Sequence, residues 1–170
     1  DYDEAHYNLG VTLVAEGNNE EAISHYKMAI KLKPDFADAY NNLGIALVAE
    51  GKNEEATSHY KMAIKLNPNY ANAYNNLGNA LLDKGRISEA ISHYKMAIKL
   101  KPDFAQPHYN LGNALRREGK NSEAISHYKM AIKLKPDFAD AYNNLGNALL
   151  QKGELKEAID HYRETLKLRP

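Results

Sequence analysis

The sequence predicts an all-α fold, a solenoid of five helical hairpins in tandem, and three observations carry that prediction. Pro34, Pro68, Pro102, Pro136 and Pro170 recur every 34 residues, and five such periods account for the full 170. Leu-Gly pairs at Leu9-Gly10, Leu43-Gly44, Leu77-Gly78, Leu111-Gly112 and Leu145-Gly146 keep the same period, as do Gly17, Gly51, Gly85, Gly119 and Gly153. The segment EAISHYKMAIKL at 21–32 returns unchanged at 89–100 and 123–134, and with one substitution at 55–66. Self-similarity at this period marks supersecondary units that must stack, because one hairpin cannot bury an apolar face alone.

The elements follow in order. The first hairpin, residues 3–36, has a helix through Leu9-Gly10 that ends near Gly17, where glycine takes a left-handed cap, and a second helix over 21–32 that stops before Pro34. The second, 37–70, repeats this with Gly51, the segment 55–66 and Pro68; the third, 71–104, with Gly85, 89–100 and Pro102. The fourth, 105–138, uses Gly119, 123–134 and Pro136, and the fifth, 139–170, uses Gly153 and a divergent last helix in which Arg163 and Thr165 replace the usual lysine and alanine. At 100° per residue, His6, Leu9, Gly10 and Leu13 share one stripe, and Ala22, Tyr26 and Ala29 share another. These stripes face each other: Gly10 and Ala22 allow close approach while Tyr26 fills the space beside them. Met28, Met62, Met96 and Met130 read as gap-filling core. Asp1 and Tyr2 match the two residues that close a unit after its proline, so the chain is expected to begin with the tail of a missing repeat. It reads as a segment cut from a longer array, or as an engineered or recently duplicated one. With different uncapped edges on its first and last units, weak end-to-end self-association is expected.

Leu43, Gly44, Ala56, Tyr60, Ala63 and Pro68, at these spacings and in five consecutive copies covering the whole chain, resemble the tetratricopeptide repeat (TPR). The resemblance implies a right-handed α-α superhelix whose concave groove is lined by first helices and holds a protein or peptide partner. This chain departs from the family pattern in having His6, Tyr40, Tyr74, His108 and Tyr142 where tryptophan is common.

Composition narrows the function. The chain carries 22 Lys plus Arg against 22 Asp plus Glu, a net charge of zero, so no basic field exists to hold nucleic acid or an anionic membrane surface. It has no cysteine, and no apolar run approaches the roughly 20 residues that span a bilayer. A soluble, cytoplasmic protein without a cofactor is expected. The period-34 histidines His25, His59, His93, His127 and His161 sit a whole hairpin apart, too far to share one ion, so no metal site is expected. Lys27 and Lys31 and their copies form a solvated ridge balanced by acids at the starts of the same helices. With no nucleophile-base pair, inward carboxylate pair or phosphate loop, no catalytic residue is assigned and the chain is not read as an enzyme.

The candidate binding surface is the first-helix face turned from its partner, which in the second unit holds Asp38, Asn41, Asn42, Ile45, Val48 and Ala49. Asn8, Asn42, Asn76, Asn110 and Asn144 recur there in every unit, and Asn79, Asn113 and Asn147 lie one turn further along. Asparagine is an indifferent helix former. Its amide, however, offers both donors and an acceptor that match a peptide group. The series resembles the asparagine ladder of the repeat domain in O-linked N-acetylglucosamine transferases, which implies backbone-directed peptide binding, the substrate-recruiting part of a larger protein. The alternative is a structural array in which these amides only bond to neighbouring helices. Units one and two add apolar Val11, Val14, Ile45 and Val48, whereas unit four adds Arg116 and Arg117, which favour carboxylates and phosphates unless they pair with Asp83 or Glu118. The carboxylate clamp of chaperone-binding relatives is disfavoured because Tyr7 stands at its first lysine position.

Overall fold

The computed structural model describes residues 1–169, and among these it contains ten helices and no strand. They run α1 (Tyr2–Ala15), α2 (Asn19–Leu32), α3 (Ala37–Ala49), α4 (Asn53–Leu66), α5 (Ala71–Asp83), α6 (Ile87–Leu100), α7 (Ala105–Arg117), α8 (Asn121–Leu134), α9 (Ala139–Lys152) and α10 (Leu155–Leu168). Odd and even helices are the first and second arms of the five hairpins.

Each first arm stops for a stated reason. Gly17, Gly51, Gly85, Gly119 and Gly153 have φ of 82°, 73°, 73°, 78° and 86°, the left-handed conformation that side chains resist. After α1 the Gly17 N–H donates to Val14 O at 3.0 Å and the Asn18 N–H to Leu13 O at 2.8 Å, so the last carbonyls of the helix are satisfied as the chain reverses. Each second arm ends where the residue before proline is pushed out of helical geometry, as at Lys33, with φ of −132° and ψ of 89°. The Phe36 N–H then donates to Lys33 O at 3.2 Å, closing the turn, and the Lys33 ammonium lies 4.8 Å from the Phe36 ring centre.

The chain forms two compact units, Asp1–Ala80 and the remainder from Leu81, with the division inside α5. In the first, α1 packs on α2, α2 on α3 and α3 on α4. Ala22, Ala29, Ala39, Leu43, Ala46, Leu47, Ala56 and Ala63 are wholly buried there. In the second, α6 to α10 pack in succession around Leu111, Ala114, Ala124, Tyr128, Ala131, Leu145 and Leu149. The close approach expected at the Leu-Gly positions is observed: a Cβ added to Gly10 would stand 2.7 Å from Tyr26 Cε1, and one added to Gly112 would stand 2.6 Å from Tyr128 Cε1.

Three expectations change. The methionines are not core: Met28, Met96 and Met130 are exposed and Met62 is half-buried, because the second arm's buried stripe already holds alanine and tyrosine. Leu9 is exposed, whereas its counterparts Leu43, Leu77, Leu111 and Leu145 are buried. Tyr2 belongs to α1 instead of a closing turn; Asp1 O accepts from the Ala5 N–H at 3.1 Å, so the helical ladder already starts at the first residue. The prolines at 34, 68, 102 and 136 behave as read, and Pro170 lies outside the described residues.

Candidate functional site

The ladder asparagines lie on α1, α3, α5, α7 and α9, one per first arm. Their surroundings differ more than their identity suggests. Asn8 is exposed, and its side-chain amide makes no hydrogen bond among the described residues. Asn42 donates from Nδ2 to Tyr7 Oη at 3.0 Å and accepts from Asn41 Nδ2 at 3.1 Å. Asn76 repeats the relation one hairpin on, donating to Asn41 Oδ1 at 3.0 Å. Asn110 is buried at 7% exposure and accepts from Gln106 Nε2 at 3.2 Å. Asn144 donates twice, to Tyr109 Oη at 3.1 Å and to Asn113 Oδ1 at 2.8 Å, which uses both of its amide hydrogens. Asn42, Asn76 and Asn144 therefore tie their first arms to the preceding ones, the role their alternative reading gave them. Asn41 and Asn75, at 3% and 5% exposure, are the buried halves of this seam.

The second series is oriented differently. Asn113 Oδ1 accepts from the Tyr128 hydroxyl at 2.8 Å as well as from Asn144, and Asn147 Oδ1 accepts from the Tyr162 hydroxyl at 2.9 Å. Their oxygens are engaged, and the NH2 groups of Asn113 and Asn147 make no hydrogen bond among the described residues. Asn79 holds the same register on α5 and is engaged as well.

Arg116 lies one turn after Asn113. Its guanidinium sits beside the Tyr128 phenol and offsets part of the rise that burial gives that hydroxyl's pKa. Its Nε is buried without a hydrogen-bond partner, and it forms no ion pair among the described residues. The pairing with Glu118 does not form: Glu118 is bonded to Lys120 Nζ at 2.8 Å and to the Ser88 hydroxyl at 3.0 Å, which holds its carboxyl below the usual range. Arg117 instead donates from Nη1 to Leu82 O at 3.3 Å. On this face, Asn113, Arg116 and Asn147 present donors.

In the first unit the same register is apolar. Val11 and Ile45 stand where Asn113 stands in the fourth hairpin, and Val14 stands where Arg116 does. Val11, Val14, Tyr26, Asn42 and Ile45 enclose a cavity of about 120 Å³. Burial raises the Tyr26 hydroxyl pKa to about 12.

Sequence reading missed one cluster. His6 and His25, 19 residues apart, meet across the first hairpin with their Nδ1 atoms at 2.8 Å, and His108 and His127 do so at 3.1 Å in the fourth. In the second and fifth, Tyr40 and Tyr142 take the first position, with ring centres 5.9 Å and 5.8 Å from His59 and His161. The signal was available: histidine stands at the first position in units one and four, where the second and fifth have tyrosine. Among the described residues no group of three or more His, Cys, Asp or Glu is placed to hold a metal ion. No helix among them is long and apolar enough to cross a membrane.

The family model described as TPR repeat matches residues 12–49, 46–85, 78–119 and 112–153, and the tetratricopeptide repeat model matches 139–170. A search of curated proteins gave no match. Among solved structures the chain is similar to MamA, at 29% identity and a TM-score of 0.82 over 94% of this chain and 93% of that one. A thermophilic TPR protein of Thermus thermophilus is 25% identical, with a TM-score of 0.81 over 99% and 92%. YrrB, described as a TPR protein with an unusual peptide-binding site, is 22% identical with a TM-score of 0.75 over 97% and 85%, a likeness of fold.

Proposed function

The chain belongs to the tetratricopeptide repeat family, a family of protein-interaction scaffolds, and on that premise we propose that the first-arm face of each compact unit, taken by itself, binds an extended segment of a partner protein. The asparagines of this face supply hydrogen bonds to the partner's backbone, and Arg116 selects an acidic or phosphorylated residue. The observation that carries the reading is the Arg116 guanidinium, half-buried beside the Tyr128 phenol and with no acid paired to it among the described residues. Arginine stands at a position that is valine or leucine in the other four units, so this repeat alone places a cation there, and a guanidinium favours carboxylates and phosphates through its planar fork of donors. Asn113 and Asn147, with oxygens bonded to tyrosines and NH2 groups unbonded among the described residues, add donors to the same face.

The division of labour among the asparagines follows. Asn42 and Asn144 tie their first arms to the preceding ones, while Asn8 and the remaining N–H of Asn76 are available to a ligand. The experiment is fluorescence anisotropy at low salt with glycine–serine decapeptides carrying one central aspartate, phosphoserine or lysine. The expected order places the two anionic peptides at least about tenfold ahead of the lysine peptide. Arg116→Ala with Arg117→Ala should remove that preference and leave the weaker backbone-driven binding. Equal binding of all three peptides by the unaltered protein would overturn the assignment of Arg116.

A further inference from the structure

The geometry points to the cavity enclosed by Val11, Val14, Tyr26, Asn42 and Ile45 as a receptor for one branched aliphatic side chain, of leucine or isoleucine, carried by the bound segment. It rests on the reading that the first-arm face receives an extended chain, and it names a side chain which that face recognises.

Comparison between repeats shows why the cavity exists. In the fourth and fifth hairpins the tyrosine of the second arm donates its hydroxyl to an asparagine, Asn113 or Asn147, so a polar side chain occupies that position. In the first hairpin that position is Val11, which cannot accept, and the flanking residue of the next first arm is Ile45. The Tyr26 hydroxyl bonds instead to the Asn42 amide, which Tyr7 and Asn41 also hold, and the space beside Val11 stays open as a pocket. Val14 completes the wall where the fourth hairpin has Arg116.

The lining settles the class of occupant. Val11 and Ile45 are 42% and 41% exposed, so the pocket opens onto the face. No acid, lysine, arginine or histidine lines it, so a charged side chain would lose its hydration with no counter-ion in return. Its volume of about 120 Å³ compares with the roughly 150 Å³ of an apolar cavity that admits benzene. An isobutyl or sec-butyl group fits that space; an indole does not.

The test uses N-acetyl-leucine amide as probe, with N-acetyl-alanine amide and N-acetyl-lysine amide as comparisons, titrated into protein with labelled valine and isoleucine methyl groups. The leucine probe should shift the methyl resonances of Val11, Val14 and Ile45 in a saturable way, and bind about tenfold or more tightly than the alanine probe. Val11→Asn gives the first hairpin the asparagine of the fourth and should abolish the shifts. Ile45→Asn should do the same, which guards against a folding defect in either variant. A leucine probe that leaves these methyl groups unmoved, or moves them equally in both variants, overturns the pocket. A glycine–serine decapeptide, having a backbone and nothing for the pocket, separates the two ideas. If it binds while the leucine probe does not, the pocket alone fails; if only the leucine probe binds, the pocket stands and the backbone-directed reading falls.

Discussion

Replacing Gly44 by alanine isolates the packing rule that the repeats share. A Cβ on Gly44 would lie 2.5 Å from Tyr60 Cε1, 2.8 Å from Cδ1 and 2.9 Å from Cζ. Carbon atoms in comfortable contact are about 3.5–4.0 Å apart, so the ring must withdraw by about an ångström. Tyr60 is 3% exposed and has little room to withdraw into. Forcing a group into a filled core costs about 1–3 kcal/mol. Helix propensity acts in the opposite direction, since alanine is better than glycine inside a helix by about 1 kcal/mol. The clash is the larger effect over most of that range, and a net loss of up to about 2 kcal/mol is expected. For a chain of this size that corresponds to about 2–4 °C of melting temperature per kcal/mol. Thermal unfolding followed by circular dichroism measures it, with Tyr60→Leu as the second background, where the obstructing ring edge is gone and the sign should reverse. A rise in melting temperature for Gly44→Ala in the unaltered protein would show that propensity decides and that the glycine is not there to admit the ring.

The other expected outcomes concern the polar seams. Asn144→Ala removes the two hydrogen bonds that its amide donates and the one it accepts from Asn143, so it should cost about 1–3 kcal/mol of stability, whereas Asn8→Ala, with no side-chain bond to lose, should stay within about 0.5 kcal/mol; urea unfolding distinguishes them. Burial pushes the His108 and His127 pKa values below the ordinary value, with His127 and Lys95 respectively adding to the effect. The folded state favours neutral rings while the unfolded chain takes up protons near pH 6.5, so this stability is full above that pH and is lost as the pH falls through it. His108→Tyr, copying the second and fifth hairpins, should shrink the fall in melting temperature between pH 7.5 and 5.5, conditions chosen about one unit either side of the free imidazole pKa.

The fold was legible because its causes are local and repeated. A glycine that must adopt positive φ, a proline that forbids further helix and a glycine under a tyrosine each leave a residue-type mark at a fixed interval. The site was half legible. Asparagine at every period announced a polar seam, yet an amide bonding to Asn41 or Tyr109 and one awaiting a peptide look identical in sequence. What separates them is the neighbour one turn away or one hairpin back, as when Tyr128 claims Asn113 Oδ1 and leaves its NH2 free. The methionines misled for a related reason: their spacing along the helix was right for a face, but which face is buried depends on the alanine-tyrosine stripe that alone fits against the first arm. The pocket in the first unit was written as a departure from the internal repeat, Val11 and Ile45 against Asn79, Asn113 and Asn147, and becomes a cavity only because Tyr26 lies beneath.

The most direct measurement of the central claim is the nitrogen-bound proton signals of the face itself: the Arg116 guanidinium and the side-chain amides of Asn113, Asn147 and Asn144, followed during titration with a glycine–serine decapeptide bearing one central aspartate. The account predicts that the Arg116 guanidinium signals shift as the group gains an acceptor and that the Asn113 and Asn147 amides move with it, while Asn144, whose hydrogens are already committed, moves least. Shifts confined to the exposed lysines of the second arms, or an Arg116 signal that stays still while the peptide binds, would contradict it.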